Sequence, residues 1–356
     1  MSLLRLPPET LKQIFDQISS SFFREDLGRL TICKQWFEFA LPACFRCITL
    51  SHETLRSFLT SGVIKRPSPL KNSLETLDLE LRGYQSCIST SHPQEYAQES
   101  NSLKATIPDE APRDNPVETW MKTLNDDLAQ LAIVAQQSHR LRTLRIRAWS
   151  SPSPEPLDSP EDYLPLHTMQ ALLSVENLSL LVLDLSGGFL NSSEQGNGRH
   201  ICPAIGALLG TLRTLHLRMR SICPDVLKPQ DPNDSLHLSV VVINLSLITN
   251  VPGITSAAHS KRCGSPGGGL LQLKAEMQEQ AEALVTQMAS PKIMRILTHS
   301  LPQFETQSLD VLTGKTMILD DDMAWDEDGK TVKEESEPES ELLDDEFDDF
   351  STFGDE

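Results

Sequence analysis

The sequence predicts an α/β protein in three parts: an N-terminal helical module, a middle region of stacked strand and helix units, and an acidic tail. Three observations predict it. Apolar residues recur at helical spacing near the start, the pattern L-x-x-L-x-L recurs through the middle, and acidic residues dominate the end. A length of 356 residues exceeds what one compact core usually serves. We therefore assign residues 1–46 to the helical module, 47–319 to the repeated units and 320–356 to the tail.

The helical module is predicted to hold three short helices. The first spans Pro8–Ser20, where a proline near the first helical position is a typical start signal. Its apolar face comprises Leu11, Ile14, Phe15 and Ile18. A second helix carries Leu27 and Leu30, and a third spans Lys34–Ala40 and is stopped by Pro42. None of the three is long enough to be stable alone, so they must pack together.

These residues also form an ordered motif. It reads Leu6-Pro7-x-Glu9-x-Leu11-x-x-Ile14-Phe15, then Asp26-Leu27-x-x-Leu30-x-Ile32-Cys33-Lys34-x-Trp36. This motif resembles an F-box, a three-helix module that docks on the small adaptor subunit of a cullin-RING (SCF) ubiquitin ligase. The resemblance implies that nine positions build the module or bind the adaptor: Leu6, Pro7, Glu9, Leu11, Ile14, Leu27, Leu30, Ile32 and Trp36. The alternative is an ordinary helical bundle in which the same residues are only core.

The middle region contains five copies of L-x-x-L-x-L and, before them, the alternating segment Arg46–Leu50. The third apolar residues of the six segments are Leu50, Leu79, Ile146, Leu183, Leu217 and Ile243. This pattern resembles a leucine-rich repeat, in which each unit contributes a short strand and must stack on its neighbours to form a solenoid. Because the intervals are uneven, we expect an irregular solenoid. An F-box followed by such repeats is similar to F-box proteins of filamentous fungi.

Helices and insertions are predicted between the strands. Apolar periodicity predicts helices near residues 51–62, 117–137, 166–174, 203–209, 270–289 and 292–300. Segments rich in Ser, Pro, Gly and polar residues predict disordered insertions near 84–116, 150–162 and 249–269. The segments 309–312 and 316–319 are typical of a hairpin, which we expect to cover the open edge of the sheet.

The tail carries most of the charge. Residues 320–356 hold 18 acidic residues and two lysines, so they contribute −16 of the net charge of −19. Such a segment has too little apolar surface to fold and is predicted to be disordered. The sequence shows no secretory signal and no run long enough for a membrane span, and it lacks a basic element that would read DNA. We therefore expect a cytoplasmic or nuclear protein that contacts neither membrane nor nucleic acid.

No catalytic or metal site is predicted. The pair Cys44-x-x-Cys47 has half the spacing of a zinc site, but no second pair lies nearby, so both are interpreted as core thiols. Seven scattered cysteines suit reduced thiols in a reducing compartment. Neither a nucleophile elbow nor an HExxH helix is present. The prediction is a protein that is not an enzyme and takes no cofactor.

Basic residues recur at outward positions of two predicted strands. Because apolar residues of such strands point inward, the side chains between them point to the exposed face. The candidates for binding an acidic or phosphorylated substrate are Arg145, Arg147, His216 and Arg218. Asp78, Glu80 and Asp184 occupy equivalent positions on other strands, so pairing within the chain is the alternative.

The function predicted from these features is substrate recognition for an SCF-type ubiquitin ligase. The helical module would bind the adaptor and through it the cullin, and the solenoid would bind an unidentified protein target. Two alternatives remain. The protein could be a non-catalytic scaffold, or a nuclear regulator whose acidic tail, with Phe347, Phe350 and Phe353, recruits partners.

Overall fold

The computed structural model describes residues 6–61, 68–84, 115–149, 163–185, 200–231, 235–247, 259–264, 269–299 and 305–319, together with Trp325. These residues form a mixed α/β structure around a nine-stranded, mostly parallel sheet, as the sequence predicts. No helix within these ranges is both long enough and apolar enough to span a bilayer.

The N-terminal module contains helices α1 (Pro8–Gln17), α2 (Ser20–Glu25) and α3 (Lys34–Cys44), with a 3-10 turn at Leu27–Leu30. It has a small core of its own, separate from the main core. The buried members of this core are Phe15, Phe23, Leu30, Ala40, Ala43 and Cys44. The predicted core role of Cys44 is thus confirmed, whereas Cys47 is only half-buried in the first strand.

Two predicted helix boundaries in the module are wrong. The single second helix is replaced by α2 and the 3-10 turn, because Ser19 and Asp26 each cap a new start by accepting a backbone N–H. Helix α3 does not stop at Pro42 but continues through it to Cys44. Since Pro42 lies in the last turn, it removes few helical bonds, and burial of the following residue, Ala43, offsets that loss.

The strands follow the predicted repeat. Seven of them run parallel in chain order and two close one edge: β1 (Cys47–Ser51), β2 (Thr76–Arg82), β3 (Thr143–Trp149), β4 (Leu180–Leu185), β5 (Thr214–Met219), β7 (Val240–Asn244), β9 (Ile293–His299), then β10 (Thr306–Asp310) and β11 (Thr316–Leu319). A separate pair consists of β6 (Ser221–Ile222) and β8 (Lys261–Arg262), also parallel. The predicted terminal hairpin is confirmed, since β10 pairs antiparallel with both β9 and β11 at the edge of the sheet.

The repeats align in register. The third apolar residues of successive units pair directly across the sheet: Leu50, Leu79, Ile146, Leu183, Leu217, Ile243 and Ile296. At each junction between units, one backbone carbonyl at the start of a unit accepts hydrogen bonds from two successive N–H groups at the start of the next unit. The residues that supply these carbonyls are Arg46, Glu75, Arg142, Ser179, Arg213 and Ser239. The same arrangement at six successive junctions shows that the seven parallel strands are equivalent units.

The seventh unit, at β9, was predicted as a helix over 292–300, and that prediction is wrong. Pro291 stands where five of the other six units have their first leucine, so the motif is hidden in the sequence. The alternating residues Met294 and Ile296 are buried like their counterparts in the other strands. The apolar pattern of this segment also suits a helix, so it is the pairing with β7 that makes the segment a strand.

The remaining helices are α4 (His52–Thr60), α5 (Ser68–Ser73), α6 (Pro116–Gln136), α7 (Leu166–Leu173), α8 (Cys202–Gly206) and α9 (Leu270–Val285), with a 3-10 turn at Pro224–Leu227. All but α5 were predicted, with ends that differ by a few residues. Residues from these helices and from the inward side of the strands share the main core, for example Leu79, Leu128, Met169, Leu217 and Met277. The helices therefore cover one face of the sheet.

The predicted insertions are only partly described. Most of 84–116, all of 150–162 and most of the tail lie outside the described residues. Within 249–269, however, residues 259–264 are ordered, so the prediction of disorder is wrong there. Ser260 donates a hydrogen bond to the carbonyl of Met219 and Cys263 is buried in the main core, because β8 pairs with β6.

Candidate functional site

The helical module carries most of the exposed apolar surface. Within the part of the chain that the structure describes, seven large apolar side chains are exposed, and five of them belong to the module: Leu6, Phe22, Leu27, Ile32 and Phe37. Leu27 and Ile32 are the most exposed of these, at 63% and 62%. Because a concentration of exposed large apolar residues marks a binding surface, the module is the leading candidate for a protein contact.

The nine predicted adaptor-binding positions divide into three groups. Those open to solvent are Leu6, Pro7, Glu9, Leu27 and Ile32. Leu11 and Leu30 are buried, so they build the module and cannot contact a partner. Ile14 and Trp36 are half-buried, and the Trp36 indole donates a hydrogen bond to the Arg29 carbonyl while its ring packs on Phe15.

Sequence reasoning missed two members of the exposed surface, Phe22 and Phe37. Both are aromatic and would be placed inside by their residue type alone. Phe22 lies against the ring of Phe23, and the Arg29 guanidinium carbon lies 4.3 Å from its ring centroid. The spacing along the helix could have identified them. Phe22 directly precedes Phe23 and Phe37 directly follows Trp36, and adjacent residues of a helix point in different directions.

One arginine fastens the module to the sheet. The Arg46 guanidinium donates hydrogen bonds to the carbonyl and the carboxylate of Asp16 in α1. The carbonyl of the same residue accepts the N–H groups of Glu75 and Thr76 at the start of β2. The exposed surface of the module is therefore held in one orientation relative to the strands.

The face of the sheet opposite the helices carries a row of charges. Glu80, Arg147, Asp184 and Arg218 pair with one another in register on four successive strands. Arg147 lies 3.4 Å from the Glu80 carboxylate and 3.6 Å from that of Asp78. Arg218 binds Asp184 through two of its nitrogens, with 2.8 Å between Nε and Oδ1. Pairing within the chain therefore engages two of the four predicted substrate-binding residues.

The expectation that Arg218 is exposed is wrong. Arg218 is only 9% exposed. The Asp184 carboxylate binds its guanidinium group, and the Trp325 ring covers it, with 5.3 Å between the guanidinium carbon and the ring centroid. Trp325 also lies 6.3 Å from the His216 ring and packs on the apolar cluster of Val242, Leu297 and Leu319. Arg145 is half-buried beside Asp78 and is the predicted residue on this face that remains best placed for a partner.

Two histidines stack between β9 and the ordered segment 259–264. The His259 and His299 rings are parallel with their centroids 3.8 Å apart, and His299 Nδ1 lies 2.9 Å from the Ser246 hydroxyl. Burial, and then the neighbouring His259, lower the pKa of His299 to about 4. Burial also lowers the pKa of His259. The pair is therefore neutral at pH 7.

Acidification is expected to destabilise the protein through His299. Its pKa of about 4 in the folded chain lies below the ordinary value of 6.5, so the unfolded chain binds more protons as the pH falls. The stability contributed by His299 is complete above pH 6.5 and is lost as the pH falls towards 4. His299→Asn keeps a polar group near Ser246 but does not titrate. Between pH 7 and pH 4 the free energy of unfolding of this variant should fall by on the order of 2 kcal/mol less than that of the wild type. Urea unfolding at several pH values measures this, and an equal loss in both proteins would contradict it.

The structure brings together a cysteine and histidine cluster, defined as His200, Cys202, Cys223 and Cys263. One potential ligand atom from each lies within 4.8 Å of all the others. The Cys202 and Cys263 sulfurs are 3.7 Å apart, and the Cys223 sulfur is 3.8 Å from His200 Nδ1. All three cysteines are buried, and the His200 side chain is 15% exposed.

Three distant segments supply this cluster. His200 and Cys202 lie at the start of α8, while Cys223 and Cys263 directly follow the paired strands β6 and β8. Since Ile222 pairs with Arg262, the two cysteines leave the strands at the same level. The only local signal was the pair His200-x-Cys202, and sequence reasoning assigned no ligand role to any of the four.

The thiols strongly affect one another. Hydrogen bonds from Cys202 and Cys263 lower the pKa of Cys223. The pKa of Cys202 is raised, first by its hydrogen bond to Cys223 and then by its hydrogen bond to Cys263. Three sulfurs and an imidazole in one buried cluster are a set of donors suited to a soft or borderline metal ion.

Comparison with models of known protein families finds no match for this chain, and comparison with curated proteins finds no match either.

Proposed function

We propose that the protein is the substrate-recognition subunit of an SCF-type ubiquitin ligase and is not itself an enzyme. The observation that carries the proposal is the exposed apolar surface of the N-terminal module, which includes Leu6, Leu27 and Ile32 among the nine positions at which the sequence resembles an F-box. The module would bind the small adaptor subunit and through it the cullin. The seven equivalent strand units would form an irregular leucine-rich-repeat solenoid that binds the target.

Adaptor binding would draw its free energy from the exposed side chains. Burying one large apolar side chain completely contributes about 1.5–3 kcal/mol, so Leu27 and Ile32 are the strongest candidates. Pro7 and Glu9, at the exposed start of α1, would contribute at the rim of the contact. Leu11 and Leu30 would act indirectly by holding the helices together.

The mechanism would be tethering. A protein that holds the ligase at one end and a target at the other raises the effective concentration of target lysines near the ubiquitin carrier. Such a mechanism needs a fixed geometry between the two ends. The hydrogen bonds that Arg46 makes to both α1 and the start of β2 support this requirement.

The target would bind the charged face of the sheet, where Arg145 is the best available contact for an acidic segment. Arg147 and Arg218 already pair with carboxylates of the chain, so they would contribute by positioning the surface. His216 lies beside Trp325, so a target that reached it would first have to displace that indole ring.

The proposal predicts that Leu27→Asp combined with Ile32→Asp weakens adaptor binding at least tenfold, equivalent to about 1.4 kcal/mol or more. Both side chains are exposed, so the folded structure should tolerate the changes. The measurement is the dissociation constant of the full-length protein for the purified adaptor subunit. The matched control is Leu271→Asp, which makes the same change at an 83% exposed leucine of α9, far along the chain from the module.

Failure of the wild-type protein to bind the adaptor at micromolar concentration would contradict the ligase proposal. Equal weakening by Leu271→Asp would show that the contact is not specific to the module. If the adaptor binds and no cullin joins the complex, the scaffold alternative would replace the ligase. Retention of target regulation after deletion of the module would favour the nuclear regulator.

A further inference from the structure

We propose that His200, Cys202, Cys223 and Cys263 bind one structural Zn²⁺ ion. This inference does not depend on the ligase proposal, because none of the four residues belongs to the module or to the charged face. It rests on the separation of the donor atoms, on their burial and on the chemistry of the donors.

The donor separations fit tetrahedral zinc. With zinc–sulfur bonds of about 2.3 Å and zinc–nitrogen bonds of about 2.0 Å, tetrahedral ligands lie about 3.8 Å apart for two sulfurs and about 3.5 Å for sulfur and nitrogen. The observed values are 3.7 Å between the Cys202 and Cys263 sulfurs and 3.8 Å between the Cys223 sulfur and His200 Nδ1. All four potential ligand atoms lie within 4.8 Å of one another, so a central ion would draw the widest pairs together by up to about 1 Å.

A disulfide does not explain the cluster. A bonded pair of sulfurs is separated by about 2.05 Å, whereas the Cys202 and Cys263 sulfurs lie 3.7 Å apart, and all three cysteines are free. A disulfide between any two of these three cysteines would also leave the third as a free thiol next to it.

The donor set selects the type of metal. Thiolate and imidazole ligands favour zinc over magnesium or calcium, which prefer oxygen. Four protein ligands complete a tetrahedron and leave no position for water or substrate, so the site is structural. With three thiolates and a neutral imidazole, the zinc complex carries a charge of about −1.

The Asp225 carboxylate lies beside the cluster, 3.5 Å from the Cys223 sulfur. His200 Nε2 lies 3.6 Å from the Asp225 carboxylate, which would orient the ring so that Nδ1 faces the metal. Lys228 in turn lies 2.7 Å from the same carboxylate and brings a positive charge to the negative cluster. A carboxylate behind a histidine ligand is a common arrangement at zinc sites.

The site would join three segments that are far apart in the sequence. Segment 259–264 is held by two β6–β8 residue pairs, a few backbone hydrogen bonds and the stacking of His259 on His299. Zinc at Cys263 would fasten this segment to the start of α8 and to the 3-10 turn at Pro224–Leu227. Loss of zinc is therefore expected to loosen this region and to lower the melting temperature of the protein.

The test is the zinc content of the full-length protein purified with reductant and dialysed against metal-free buffer. We expect about one zinc per chain in the wild type. Cys223→Ser and Cys263→Ser should each lower the affinity for added zinc at least tenfold. The matched control is Cys47→Ser, which removes a half-buried thiol in β1 and should leave the zinc content unchanged.

Cobalt offers a second measurement that does not depend on variants. Added Co²⁺ should give the visible absorption of a tetrahedral thiolate complex, and Zn²⁺ should displace it. Wild-type protein that binds neither metal at micromolar concentration, or Cys263→Ser that keeps full zinc, would overturn the proposal. Adaptor binding should persist in Cys263→Ser, so failure of the zinc proposal and failure of the ligase proposal are distinguishable.

Discussion

Asp184→Ala is expected to lower the free energy of unfolding by about 3–5 kcal/mol, the usual cost of removing one partner of a buried ion pair. The side chains of Asp184 and Arg218 are only 5% and 11% exposed, and the guanidinium binds both carboxylate oxygens. Without Asp184, the Arg218 charge stays buried between β4 and β5 under the Trp325 ring. Equilibrium unfolding in urea measures the loss.

The matched control is Glu80→Ala in the same row of the sheet. Glu80 is 41% exposed and its partner Arg147 is 30% exposed, so water solvates both charges. Exposed pairs contribute about 0–1 kcal/mol, and Arg147 also keeps Asp78 as a partner. If both variants lost the same stability, burial would not be the reason for the strength of the Asp184 and Arg218 pair.

Gly206→Ala is expected to destabilise the protein by about 3 kcal/mol, at the upper end for overpacking, because a methyl group does not fit at the end of α8. A Cβ atom there would lie 2.5 Å from the Lys228 carbonyl oxygen and 2.6 Å from that of Asp225. Asp225 belongs to the 3-10 turn that follows Cys223 and Lys228 comes directly after that turn, so this segment and α8 would have to move apart. We also expect weaker zinc binding, since this movement separates Cys202 from Cys223.

Gly210→Ala provides the comparison for this change. No atom lies within 4 Å of the position that its Cβ would occupy, so stability should change by less than about 1 kcal/mol. Thermal unfolding with and without added zinc, applied to both variants, separates the two effects. A Gly206→Ala protein as stable as the wild type would show that α8 and the turn are less closely packed than the structure indicates.

The repeated strands were the most predictable part of the fold. In a strand, side chains alternate between two faces, so a buried face leaves a period of two in the sequence. The six predicted third positions, from Leu50 to Ile243, all pair in register as expected. The seventh failed because Pro291 replaces the leucine that opens the motif, and the residues after it suit a helix equally well.

The candidate surfaces were predictable in position but not in exposure. The sequence places Arg147 and Arg218 on one face because strand alternation is local. Whether either is free for a partner depends on Glu80, Asp184 and Trp325, which come from other parts of the chain. Similarly, Leu11 and Ile32 both match the F-box pattern, yet only packing of the helices leaves Ile32 exposed and Leu11 buried.

By itself the sequence determined the strand repeat and the position of the apolar module, because each depends on neighbours within about ten residues. Only the tertiary structure decided the burial of Arg218, the order of segment 259–264 and the cysteine and histidine cluster. Cys202 and Cys263 are 61 residues apart, and Arg218 and Asp184 are 34 apart. Such contacts arise from the stacking of units, which no local periodicity records.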